Sequence, residues 1–209
     1  MLKKIIILIA IAFPFFVSAQ DDSGLYKNQI KFSPVRMIDL FNPGLEISYE
    51  RVHSGKFSSQ FSYAFDKDIF GLFPFNNFRG NRFSLEEKYF YKSMDNKRKY
   101  VSLDLILNNN TYSQVKSYPD SVSGNIENRR NFFHRKTFSA NIKYGKQFFL
   151  NRFIVDLSIG AGIKWRSLIP EYNYPFVQQK GFDFTFFLTS YAKYVTINIP
   201  MNVKIGYLF

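Results

Sequence analysis

Two histidines and no cysteine leave few homes for metal or nucleophilic chemistry in this 209-residue chain. A missing thiol removes disulfides, thiolate metal sites and cysteine nucleophiles together. His53 lies in His53-Ser54-Gly55, a polar tight turn, where it reads as a solvated turn residue. His134 stands in Phe133-His134-Arg135-Lys136-Thr137, with no serine two positions beyond it and with Ser139 on the opposite parity. A histidine among basic residues suits contact with lipid headgroups, and a histidine with a nearby serine suits acyl chemistry on a lipid. Gly160-Ala161-Gly162 falls inside an alternating run and opens no helix, so it reads as close packing and not as a phosphate loop. No cofactor or metal is expected.

The basic excess is 28 − 16 = +12. Its carriers are spread along the chain with no nucleic-acid motif around them, which argues against a nucleic-acid partner. Arg79, Arg129, Arg130, His134 and Lys136 fall near the ends of strands beside long connections. They are candidate contacts to lipid phosphates, with ordinary surface solubilisation as the alternative.

Positioning these residues requires strands. Lys3 and Lys4, the apolar run Ile5 to Val17 and the small residues of Val17-Ser18-Ala19 predict a cleaved export signal over 1–19, leaving a single domain over 20–209. The run is too short for a spanning helix and contains Pro14. Beyond it the hydrophobic period is two almost throughout. Phe153, Val155, Leu157, Ile159, Ala161, Ile163 and Trp165 oppose Asp156, Ser158, Gly160, Gly162, Lys164 and Arg166, with Ile154 breaking the rule. Residues 195–209 alternate in the same way. Similar runs begin near Leu45, Phe57, Phe83, Val101 and Phe138, with Glu87 and Phe90 out of place in the third, and a weak first strand spans Ile30 to Leu40. The spacing predicts an all-β, antiparallel, up-and-down transmembrane β-barrel of eight strands, with ten permitted if Phe182 to Tyr191 forms a further hairpin. Connections alternate between short turns (His53-Ser54-Gly55, Ser93 to Lys97, Phe148 to Arg152) and longer loops (Lys67 to Arg79, Lys116 to Arg130, Ser167 to Tyr194), except that the first, near Asn42 to Gly44, is brief.

Alternation does not say which face is inside. Small residues on the polar face of the 153–165 strand suit a narrow interior. Aromatic residues gather near strand ends: Phe57, Tyr91, Tyr144, Phe153 and Tyr207 toward the short turns, Phe65, Phe83, Phe132 and Trp165 toward the long loops. Both point to an apolar outside bounded by two girdles. Glu46, Glu50, Glu86, Asp104 and Asp156 would then pair inside with Arg82, Lys88, Arg135, Lys143, Lys164 and Lys204, because unpaired buried charge is costly. Eight strands leave a lumen just wide enough for side chains, so a narrow or plugged interior is expected.

Asn202-Val203-Lys204-Ile205-Gly206-Tyr207-Leu208-Phe209 resembles the terminal assembly signal of outer-membrane barrels, and the chain resembles the small barrels of the outer membrane protein A and X type found in Bacteroidota. The resemblance implies insertion by the outer-membrane assembly machinery, residence in the bacterial outer membrane, and Val203, Ile205, Tyr207 and Phe209 facing lipid. Outer-membrane lipid and lipopolysaccharide are the expected partners of a monomeric, non-enzymatic barrel with a structural or surface-interaction role. Two alternatives stay open: a lipid A acylase or deacylase using His134, and a soluble periplasmic lipocalin-like barrel with an apolar cavity.

Overall fold

A computed structural model describes residues 27–39, 42–71, 76–94, 96–119, 126–170 and 193–209. The export signal predicted over 1–19 and the possible hairpin of residues 182–191 lie outside these. Nine strands are described: β1 (Asn28–Phe32), β2 (Gly44–Ser54), β3 (Phe57–Lys67), β4 (Asn76–Met94), β5 (Lys97–Pro119), β6 (Ile126–Leu150), β7 (Phe153–Pro170), β8 (Lys193–Asn198) and β9 (Met201–Leu208). Each pairs antiparallel with its chain neighbour from β1 to β7, and β9 joins β7 to β1.

That last pairing closes the ring. Gln29 lies opposite Leu208 and Phe32 opposite Ile205, and Asn28 and Phe209 exchange backbone hydrogen bonds of 3.2 and 2.9 Å. β8 and β9 both follow β7 in one register, from Ser167 opposite Lys193 to Phe153 opposite Tyr207. They are two halves of one stave, interrupted at Ile199-Pro200, where proline brings no amide hydrogen to the ladder. The Pro200 carbonyl still accepts from the Gly160 amide at 2.9 Å. The described strands therefore make an all-β, up-and-down barrel of eight staves.

Two sequence expectations are corrected here. The first strand does not run to Leu40: it stops at Phe32, and Pro34–Ile38 form a short 3-10 helix with Pro34 at its start. Proline fixes the backbone angle a helical turn wants, and the turn carries Arg36 inward, where it is buried. Nor do Lys116 to Pro119 and Ile126 to Arg130 belong to a loop. β5 and β6 stay paired as far as Pro119 opposite Ile126, so the hairpin extends well past the girdle residues. Ladder hydrogen bonds do not require an apolar outer face, and alternation therefore fades before the strands do.

The short turns are tight. β2 passes to β3 through Gly55-Lys56, and β6 to β7 through Asn151-Arg152, where Asn151 takes a positive φ of 56° that asparagine tolerates better than most residues.

Candidate functional site

Side-chain parity puts the apolar set outside and the charged set inside. On β7, Phe153, Leu157, Ile159, Ile163 and Trp165 are exposed, and Asp156 and Arg166 are buried. Mid-wall aliphatics are open to the surroundings, with Ile142 66% and Ile197 81% exposed. The last stave obeys the same rule. Ile205, Tyr207 and Phe209 are exposed, Val203 is on their face at half burial, and Lys204 and Leu208 point inward and are buried.

The expected girdle residues all lie on the outer face, and several touch. Phe57 meets Tyr89 at a ring-centroid distance of 5.2 Å and Phe153 meets Tyr207 at 5.8 Å toward the short turns. Tyr63 meets Phe83 at 5.1 Å and Phe138 stacks on Trp165 at 5.3 Å toward the loops. Below the loop rim an open groove of about 600 Å³ runs along the wall over Phe83, Leu107, Phe138, Trp165 and Val195, with Lys136 at its edge.

The charged residues expected inside from the sequence fall there. Glu46, Glu50, Glu86, Asp104, Asp156, Lys88, Arg135, Lys143 and Lys204 are buried in the lumen, and Arg82 and Lys164 lie on the same face at intermediate exposure. Apart from Arg135, the buried ones sort into three sets. Toward the short turns, Lys31 sits 2.5 Å from both Glu50 and Asp156, and Lys88 lies 2.7 and 2.8 Å from the same two carboxylates. Gln147 and Tyr100 complete the hydrogen bonding, Tyr100 donating to Asp156 at 2.7 Å. In the second set Lys143 bridges Glu86 at 2.8 Å and Asp104 at 3.2 Å. The third joins Arg36 to Asp66 at 2.6 Å and Glu46 at 3.3 Å, and Glu46 to Lys204 at 2.8 Å.

Lys31, Arg36 and Asp66 are absent from the sequence-derived set. Lys31 has the right signal, since it alternates with Ile30 and Phe32, but the strand around it is only five residues long. Arg36 gives no strand signal, because a 3-10 turn aims it.

Apolar side chains are also buried inside the barrel toward both ends. Phe90, Tyr100, Ile154 and Leu208 are buried toward the short turns, with the Arg98 guanidinium 5.4 Å from the Phe90 ring centre. Phe90 and Ile154, the alternation's exceptions, thus point inward. A Cβ at residue 145 would run into the Tyr100 ring, so glycine makes room for that ring. Toward the loops Phe78, Tyr112, Phe133 and Leu168 cluster, and Arg135 lies 5.7 Å from the Phe78 and Tyr112 ring centres. The void beside Glu86, Tyr100, Asp156 and Lys204 leaves no space for a water molecule.

Of the proposed phosphate contacts, Arg79, Arg130, His134 and Lys136 are exposed, and the Arg129 side chain lies outside the described residues. Arg79 and His134 share one outward row through Thr111, whose hydroxyl lies 3.4 Å from Arg79 Nε. Ser139 is buried on the inner face, so it gives His134 no nucleophile. His53 is not simply a solvated turn residue: its Nε2 is 2.7 Å from Ser59 Oγ, which in turn donates to Glu87 at 2.8 Å. No group of three or more metal-ligating side chains occurs among the described residues.

These features define a closed antiparallel barrel with charged side chains inside and an apolar outer wall. No family model matches the chain, and no curated protein does. Among solved structures it is similar to the N-terminal β-barrel domain of Pseudomonas aeruginosa OprF, at 16% identity over 87% of this chain and 96% of that one, with a TM-score of 0.43.

Proposed function

We propose that the chain is an integral barrel of the bacterial outer membrane whose lumen is sealed and whose role, structural or in surface interaction, is exercised through its loop end. The observation that carries this is the inverted polarity of the wall. A water-soluble barrel with an apolar cavity would hold Ile142, Ile163, Ile197 and Ile205 inside; here they are outside and the carboxylates and lysines are in. So large a continuous apolar surface is stable where lipid covers it. The outward Arg79, His134 and Lys136 at the loop end suit an anionic leaflet such as lipopolysaccharide presents.

Fractionation of expressing cells is expected to place the protein with the outer membrane, resistant to extraction without detergent. Its electrophoretic mobility should shift between unboiled and boiled samples. Release into the soluble periplasmic fraction would refute the reading. Planar-bilayer recordings of the purified protein are expected to show no large, stable conductance, because the inward apolar side chains and the ion-pair sets fill the bore. A steady, pore-sized current would overturn the sealed lumen while leaving the membrane location standing.

A further inference from the structure

Glu87 is out of step with the sequence alternation, and the structure shows what that means. Among the strand residues with described side chains it is the only carboxylate on the outer face; Glu46, Glu50, Asp66, Glu86, Asp104 and Asp156 all point inward. It is half-buried on β4 between Leu85 and Tyr89, in a row that runs Arg51, Ser59, Glu87, Leu103, Ile142. On the turn side the row is bounded by the Phe57–Tyr89 ring pair, on the other by Phe61 opposite Leu85. That is the border between an aromatic girdle and the apolar band.

The Ser59 hydroxyl donates to Glu87 at 2.8 Å, and His53 Nε2 lies 2.7 Å from the same hydroxyl. One donated hydroxyl leaves most of a carboxylate's acceptor positions open. No cation among the described residues forms an ion pair with Glu87, in contrast to the paired carboxylates of the lumen. An ionisable group on a membrane-facing wall is costly and calls for a partner. Arg51, exposed on β2, stands in the same row two strands away, about 10 Å by the usual interstrand spacing.

We propose that this notch binds the headgroup of an aminophospholipid of the phosphatidylethanolamine type in the leaflet at the short-turn end. The primary ammonium donates to Glu87, and the phosphate, a short tether away, meets Arg51. Ser59 and His53 hold the carboxylate in place. A primary ammonium has N–H donors to give; the quaternary ammonium of phosphatidylcholine has none, so the site discriminates between two lipids of the same net charge. The inference rests on the membrane reading above.

The test uses the full chain folded into vesicles of phosphatidylcholine alone, or mixed with phosphatidylethanolamine or phosphatidylglycerol of matched acyl chains. Lipid retained through detergent exchange is then counted by native mass spectrometry. Phosphatidylethanolamine is expected to be retained about tenfold over phosphatidylcholine, the weight of one charge-assisted hydrogen bond. Glu87→Gln, which still accepts from Ser59, should abolish that preference, and Arg51→Gln should lower retention of all three lipids alike. Equal retention of the two zwitterionic lipids by the unaltered protein would refute the proposal without need of any variant. So would a preference that survives Glu87→Gln. Failure to fold into vesicles of any composition would instead remove the membrane reading, and this inference with it.

Discussion

Replacing Asp156 by alanine is expected to destabilise the barrel by about 3–5 kcal/mol, the range for removing one member of a buried ion pair. Its carboxylate is shared by Lys31 at 2.5 Å, Lys88 at 2.8 Å, the Tyr100 hydroxyl at 2.7 Å and Gln147 at 3.1 Å. Without it two buried ammonium groups share the Glu50 carboxylate and the neutral Gln60 oxygen, and the Tyr100 hydroxyl loses its acceptor. Urea unfolding of the reconstituted protein, followed by the heat-sensitive gel shift, measures the change. Asp156→Asn should fall between, since an amide oxygen can accept from Tyr100 but cannot balance the lysines. A loss of stability below about 1 kcal/mol, the size of an ordinary solvated pair, would mean that water reaches the network. Pairing the substitution with Lys31→Met should recover part of the loss, because the double change removes the stranded charge with the partner it lost.

Ile142→Arg tests the other face. Ile142 stands on the outer wall between Leu103 and Ala161, 66% exposed. If lipid covers that wall, a mid-wall arginine should cost about 2–4 kcal/mol and lower the folded yield in vesicles. In water the same exchange at an exposed, unencumbered site is worth within about 0.5 kcal/mol either way. The two environments thus predict effects separated by several-fold. Unfolding midpoints in vesicles settle which applies: an unchanged midpoint would reject the lipid-facing wall, whatever fractionation shows. A matching substitution at Ile197, more exposed still, should behave alike.

Glu87, Phe90 and Ile154 show how such a sequence misleads and instructs. Each breaks the period of two, and each is explained by the residue opposite it on the neighbouring strand, Ser59, Tyr100 and Gly206 in turn. Phe90 meets Tyr100 at a ring-centroid distance of 5.7 Å, and Ile154 sits above Gly206, where no Cβ obstructs it. Alternation registers only apolar against polar, so inward apolar side chains among polar ones read as errors of pattern. His53 carries the opposite lesson. Its turn position suggested solvation, and only the bulge in register between Val52 and Ser54 brings its ring onto Ser59.

From residue types and spacing alone came the barrel class, the eight staves, the apolar outer set, the girdles and most of the interior charges. These depend on a two-residue period, which the pleat of a strand imposes locally. The partners did not follow from it. Lys31 and Asp156 are 125 positions apart, and Arg36 reaches Asp66 only because Pro34 turns the chain inward. Which cation meets which carboxylate depends on ring closure, stagger and an irregular turn, long-range constraints that no local period encodes. The length of the β5–β6 hairpin was likewise settled by backbone pairing, which continues where the outer face no longer needs to be apolar.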